Sequence, residues 1–139
     1  MAEAEKVLFI CTGNSIRSQM AEGLLRALGG EKWKVQSAGT ISSYVHPLAI
    51  RVMEEIGIDI SQQTSKSLDK FLNETFDYII TLCDNAAASC PVFPGQGKRL
   101  HWPIEDPIGA IGSTEERLVL FRRTRNEIKK RIEEFLTGC

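Results

Sequence analysis

An α/β fold is predicted, a three-layer sandwich with a four-stranded parallel sheet and helices on both faces. Three observations predict it. Apolar strand-like runs alternate along the chain with segments of helical spacing, as parallel strands joined by crossover helices do. Two of those runs, residues 6–10 and 76–82, are almost continuously apolar (Val7-Leu8-Phe9-Ile10, and all but Thr81 after Asp77), the pattern of strands buried on both faces. The first run then passes through a loop carrying Gly13 and Asn14 directly into a strong helix former, Gln19 to Leu28.

The elements follow in order. Residues 6–10 form the first strand and 17–29 the first helix, stopped by Gly29-Gly30. Trp33-Lys34-Val35-Gln36-Ser37 alternates as a second strand, and 38–43 is a loop. His46-Pro47 opens a second helix with Leu48, Val52 and Ile56 on one face, which Gly57 ends. Residues 58–61 read as extended and 67–73 as a short helix. Strands follow at 76–82 and 98–102. Ser113, with Glu116 three residues on, is a capping box for the last helix. Its core stripe is Leu118, Phe121, Arg125, Ile128, Ile132 and Phe135.

The chain of 139 residues fits one domain, 1–139. Its 17 basic and 18 acidic residues nearly cancel, which argues against electrostatic nucleic-acid binding. The basic residues between Arg122 and Arg131 are interleaved with Glu127 and read as a solvated helix face. No apolar run approaches the roughly 20 residues of a membrane span, and the acidic start Met1-Ala2-Glu3-Ala4-Glu5 is unlike a signal peptide. A cytoplasmic monomer is expected. In a reducing compartment Cys11, Cys83, Cys90 and Cys139 are catalytic or metal-binding candidates rather than structural disulfides.

The chemistry concentrates in Cys11-Thr12-Gly13-Asn14-Ser15-Ile16-Arg17-Ser18. A loop between a buried strand and a helix N-terminus cradles anions, because the first-turn N–H groups lack intrahelical partners and the helix dipole favours negative charge. Gly13 lets the backbone bend there. Arg17 can hold two oxygens of a tetrahedral oxyanion with its planar fork. The same groups favour a Cys11 thiolate. A cysteine after an apolar strand is more often an inert core residue. The surrounding Gly, Asn, Arg and Ser, with the helix behind them, make it a nucleophile under a bound oxyanion.

Ligands of open parallel sheets bind beyond the carboxyl ends of the strands. Cys11, Cys83 and Asp106 all follow strands and fall on that edge. Asp106, in Glu105-Asp106-Pro107, is the candidate general acid, against the plainer reading of an Asp-Pro turn; Glu105 is the weaker alternative. Cys83 and Cys90 stand seven apart. A zinc site lacks a familiar ligand spacing among Cys83, Cys90, His101 and Asp84. A redox pair needs Cα atoms within roughly 4.4–6.8 Å, whereas seven helical residues span about 10.5 Å. The segment 83–97 must therefore unwind or loop out to close the pair.

The sequence resembles the thioredoxin-coupled arsenate reductases, relatives of the low-molecular-weight tyrosine phosphatases. The resemblance rests on residues 11–23, Ser37-Ala38-Gly39, Gly57-Ile58-Asp59-Ile60-Ser61, Thr81-Leu82-Cys83, Cys90-Pro91, His101-Trp102 and Asp106-Pro107. It covers nearly the whole chain. It implies a phosphatase-like oxyanion loop at 11–18, with Thr12, Gly13, Asn14, Ser15, Ile16, Arg17 and Ser18 binding arsenate. It also implies a relay in which Cys11 attacks arsenic, Asp106 protonates the leaving hydroxide, Cys83 and then Cys90 carry the disulfide, and thioredoxin reduces it. Ser18 is expected to hydrogen-bond Cys11. No metal and no organic cofactor is required.

Two departures stand out. Ile16 occupies a position where the family often has a further cysteine, one outside the relay. Some members bind potassium through residues matching Asn14, Glu22 and Ser37 plus an acidic residue, where this chain has Lys66; its ammonium could stand in for the cation, bridging Glu22 and Asn14. The rival reading is a low-molecular-weight tyrosine phosphatase, using Cys11, Arg17 and Asp106 with water and needing neither Cys83 nor Cys90. Ile108-Gly109-Ala110-Ile111-Gly112 offers no aromatic after Asp106-Pro107 to stack on a substrate ring, so phosphatase chemistry is expected as a weak side activity. An oxyanion- or metal-binding regulator would lack any DNA-binding element to work through.

Overall fold

Strand β1 (Glu5–Cys11) is the centre of the sheet, and every side chain from Val7 to Cys11 is buried. In the computed structural model, which describes residues 4–83 and 97–138, β1 pairs in parallel with β2 (Trp33–Gly39) on one side and β3 (Tyr78–Thr81) on the other. β4 (Lys98–His101) extends β3, also in parallel, giving the order β2-β1-β3-β4. The chain thus leaves β1 for one neighbour and returns across it to the other. The carboxyl end of β1 is the point where the strand order reverses, the place where open α/β sheets bind ligands.

Alternate side chains of β1 enter two cores. Val7, Phe9 and Cys11 join the core built with helices α1 (Arg17–Gly29), α2 (Pro47–Glu54) and α3 (Thr114–Thr137). Leu8 and Ile10 face the other way, onto Leu68 and Phe71 of a short 3-10 helix (Leu68–Phe71) and onto Phe76. Helical elements therefore cover both faces, as the sequence predicts. β2 alternates as read, with Trp33, Val35 and Ser37 buried between exposed Lys34 and Gln36. No helix among the described residues is long and apolar enough to cross a membrane.

Local differences have local causes. α2 buries Ala49, Val52 and Met53. Ile56, expected on that face, is exposed because the helix has already ended at Glu54 and the chain turns through Gly57 at φ +79°. The stretch 58–61 closes in a turn, where Asp59 accepts the Ser61 N–H at 2.8 Å. The short helix expected at 67–73 contracts to the 3-10 helix. The segment 84–96, which includes Cys90, and Cys139 lie outside the described residues.

Helix α3 begins at the expected capping box, Ser113 and Glu116 exchanging bonds with each other's backbone. It is tied to α2 by Glu55, which accepts from Arg122 at 2.7 Å and from Arg125 at 2.9 Å. Those bonds, Arg122 first, lower the Glu55 pKa to about 2. A depressed folded-state pKa stabilises above the unfolded value near 4.5 and is lost as pH falls through about 2. Solvent screening holds the effect of such a partly exposed group to on the order of 1 kcal/mol. Glu55→Gln should therefore lower the urea midpoint at pH 7, and the gap to the parent should shrink as the titration is repeated down to about pH 2.5.

Candidate active site

Between β1 and α1 the backbone carbonyls from Cys11 to Ile16 are all taken from outside the loop. Thr40 N–H reaches Cys11 O at 3.3 Å, Ile41 N–H reaches Thr12 O at 3.1 Å, and His46 N–H reaches Ser15 O at 3.0 Å. Ser43 and Ser65 hydroxyls converge on Gly13 O at 2.8 and 3.2 Å. Gln19 Nε2 donates to Asn14 O at 3.0 Å, and Met20 N–H to Ile16 O at 2.9 Å. With the carbonyls turned out, the N–H groups of residues 13–16 make no hydrogen bond among the described residues. The first turn of α1 has neither a side-chain cap nor an acidic residue. A loop with its donors facing inward at a helix start is an anion cradle.

The sharp bend falls on Asn14 (φ +48°), not on Gly13. Asn is the non-glycine residue most at ease there, because its side chain can bond locally. Its Oδ1 accepts from Gln19 Nε2 at 2.9 Å and from the Lys66 backbone N–H at 2.7 Å. A backbone N–H can only donate, which fixes the amide orientation and points Nδ2 at Ser18 Oγ (2.7 Å) and Ser37 Oγ (2.9 Å). Ser37 passes its own hydrogen to the buried Glu22 carboxylate at 2.5 Å. Ser18 Oγ, which accepts from Asn14, lies 2.8 Å from Cys11 Sγ, and its hydroxyl is the donor there when Cys11 is a thiolate, which can only accept. Hydrogen-bond direction is thus set from Glu22 through Ser37 and Asn14 to Ser18, whose hydroxyl lies against the Cys11 sulfur.

Across the cradle, buried Arg17 is held by Ile104 O (3.0 Å) and by Asp106 Oδ2 (3.1 Å). Asp106 Oδ1 also caps the short 3-10 helix Pro107–Gly109 through the Ile108 N–H at 3.0 Å. A cavity of about 250 Å³ opens above Cys11, walled by Thr12, Gly13, Ser15, Ile16 and Arg17 and by Asp106, His46, Tyr44 and Ile108. The β1–β3 register, continued past Ile10 and Thr81, brings Cys83 level with Thr12, and the Cys83 thiol lies 3.3 Å from the Thr12 hydroxyl. Cys11, Arg17, Asp106 and Cys83, distant in sequence, therefore share one sheet edge. Glu105, the weaker candidate for the acid, is exposed and makes no wall of that cavity.

The family model described as low molecular weight phosphotyrosine protein phosphatase matches residues 6–138. An arsenate reductase from Halalkalibacterium halodurans is 49% identical over 129 residues, 93% of each chain. One from Bacillus subtilis is 46% identical over 133 residues, 96% of each. The chain belongs to the arsenate reductases of this phosphatase family. Among solved structures, an arsenate reductase in the oxidised state superposes with a TM-score of 0.82 at 41% identity, covering 96% of this chain and 98% of the other. One in the phosphate-binding state gives 0.79 at 40% identity, with the same coverage. A thioredoxin-dependent arsenate reductase from Corynebacterium glutamicum gives 0.73 at 30% identity, covering 99% of this chain and 62% of that one.

Ile16 packs as a buried apolar residue at the start of α1. The Lys66 ammonium lies 3.7 Å from Glu22 Oε1 and donates to Thr64 O at 2.7 Å. It does not bridge to Asn14; the contact there is made by the Lys66 backbone N–H. Burial lowers the Lys66 pKa, and the Glu22 carboxylate opposes that shift.

Sequence reasoning missed the outer supports of the cradle. A Cβ on Gly39 would come within 2.6 Å of Thr12 O and 2.7 Å of Asn14 N, so only glycine lets β2 end against the loop. Gln19, Ser43 and Ser65 are ordinary polar residues whose role is set by three-dimensional placement. His46 was visible only as the residue that opens α2.

Proposed function

We propose that this chain reduces arsenate to arsenite by a three-thiol relay. The observation that carries the reading is a second thiol at the same sheet edge, against Thr12 of the cradle. Cys83 stands beside Thr12 at the carboxyl end of β3, where phosphatase chemistry has no use for it. The oxyanion sits on the N–H groups of residues 12–18 and on Arg17. The Cys11 thiolate forms a bond to arsenic as hydroxide leaves, taking a proton from Asp106. The Cys83 thiolate then attacks Cys11 sulfur. The S–As electron pair stays on arsenic, which departs as arsenite, and a Cys11–Cys83 disulfide remains. Cys90 attacks Cys83 and frees Cys11, and the Cys83–Cys90 disulfide is reduced by the dithiol of thioredoxin through exchange. The relay uses no metal and no organic cofactor.

The test is NADPH consumption through thioredoxin reductase and thioredoxin, which should depend on arsenate. No consumption, with aryl phosphate hydrolysis intact, would move the protein to the phosphatases. Tyr44 and Ile108 on the cavity wall favour weak aryl phosphate hydrolysis as a side activity.

The ammonium of Lys66 supplies positive charge at Glu22, so turnover should be insensitive to potassium. Lys66→Ala should lower kcat/KM several-fold and Lys66→Asp should introduce activation by potassium. Titration of potassium against turnover in the three proteins checks this, and strong activation of the parent protein would overturn it.

A further inference from the structure

Of the polar side chains that α2 and the loop before it bring to the cavity above Cys11, Ser43, Tyr44 and His46, the relay uses none, and His46 alone is buried. His46 is 8% exposed, and its ring packs on Phe121 (centroids 5.1 Å apart) and Tyr44 (6.3 Å). Its backbone N–H braces Ser15 O of the cradle at 3.0 Å. Its Nδ1 accepts the Leu48 N–H at 3.0 Å and so caps α2. That bond needs a lone pair on Nδ1, so the ring proton of the neutral imidazole resides on Nε2. Nε2 has no partner among the described residues, and it is not among the sealed polar atoms that lack one. His46 lines the cavity, and its Nε2–H is a fixed donor that the protein does not seal.

We propose that His46 is a substrate-binding residue of this site, its Nε2–H donating to the outward-facing oxygen of a bound tetrahedral oxyanion. The inference rests on the oxyanion reading of the cradle. The N–H groups of residues 12–18 and Arg17 serve the oxygens that point into the loop. The oxygen that faces the mouth has only wall groups to meet, and of those Asp106 carries a carboxylate, the Ser43 hydroxyl already donates to Gly13 O, Tyr44 is largely exposed, and Ile108 is apolar. The tautomer also explains why a neutral histidine serves here. Protonation at Nδ1 would break the cap, and burial, followed by the facing charge of Arg117 on α3, lowers the His46 pKa, while Asp106 on its loop opposes them. Arg17, the Cys11 thiol and the Tyr44 phenol are the other charged or titratable groups on the same cavity. The donor is thus retained through neutral pH without adding a cation.

Two substitutions separate the two nitrogens. His46→Asn keeps an acceptor for the Leu48 N–H and loses the reach of Nε2. His46→Gln keeps a donor near the Nε2 position and weakens the cap. His46→Asn should raise the Kd for inorganic phosphate and the KM for arsenate about tenfold, the scale of one hydrogen bond to a charged acceptor, with little change in kcat or melting temperature. His46→Gln should melt several degrees lower and keep phosphate affinity within about threefold. Phosphate added to the parent protein should shift the His46 ¹⁵Nε2 resonance and leave ¹⁵Nδ1 nearly unmoved. The proposal is overturned if phosphate affinity follows the cap instead, weakened in Gln and kept in Asn, or if both variants bind as the parent does. A parent protein that binds no phosphate and turns over no arsenate would instead refute the oxyanion reading itself.

Discussion

Cys83→Ser is expected to abolish arsenate-dependent NADPH consumption, by about a thousandfold or more, while aryl phosphate hydrolysis stays within about threefold of the parent. The split follows from where each chemistry ends. Hydrolysis of a phosphoenzyme needs Cys11, Arg17, Asp106 and water, and none of these passes through Cys83. Reduction cannot finish without a second thiolate to take the sulfur of Cys11 and leave the electron pair on arsenic. Serine preserves a partner for the Thr12 hydroxyl at the cradle wall, so the loop keeps its shape and the hydrolysis assay acts as the internal control. Cys90→Ser should differ in kind, releasing one arsenite per enzyme and then stalling as the Cys11–Cys83 disulfide. Steady turnover in either variant would end the three-thiol scheme. Parallel loss of hydrolysis in Cys83→Ser would recast Cys83 as a support for Thr12.

The strands were legible because burial on both faces of β1 and β3 leaves no polar alternation to misread. The placement of Cys11, Cys83 and Asp106 after the first, third and fourth strands was enough to gather them at one edge. The helix ends were less legible, since Ile56 continues the apolar spacing of α2 up to the Gly57 stop, whereas the helix itself ends at Glu54. The choice of Gly13 as the bending residue followed the general preference for glycine. It failed because Asn14 offers what glycine cannot, four side-chain hydrogen bonds that hold the bend in place. The supports at Gly39, Ser43 and Ser65 carry no periodicity and no motif chemistry of their own. They matter through carbonyls they meet across 27 to 52 residues of chain, and pattern reading has no access to that.

Asp106→Asn should lower kcat for arsenate by about 10²- to 10³-fold, the usual effect of losing a positioned acid, and should tighten phosphate binding several-fold rather than weaken it. The second half comes from the resting geometry. Arg17 is not waiting free for substrate: one amino group is on Ile104 O, and the other is on the Asp106 carboxylate at 3.1 Å. An incoming oxyanion competes for that second position and also brings negative charge beside a carboxylate, which costs free energy twice. Asparagine removes the charge while its Oδ1 can still accept the Ile108 N–H, so the loop from Ile104 to Gly109 has no reason to move. On the proposed mechanism the Asp106 side chain serves two states in turn, as carboxylate counter-ion to Arg17 in the empty site and, once substrate has displaced it and it has taken up a proton, as the acid. Calorimetric titration with phosphate, set beside kcat from the coupled assay, separates them. Weaker binding in Asp106→Asn would mean that Asp106 meets the oxyanion already protonated, as a hydrogen-bond donor and not as its rival.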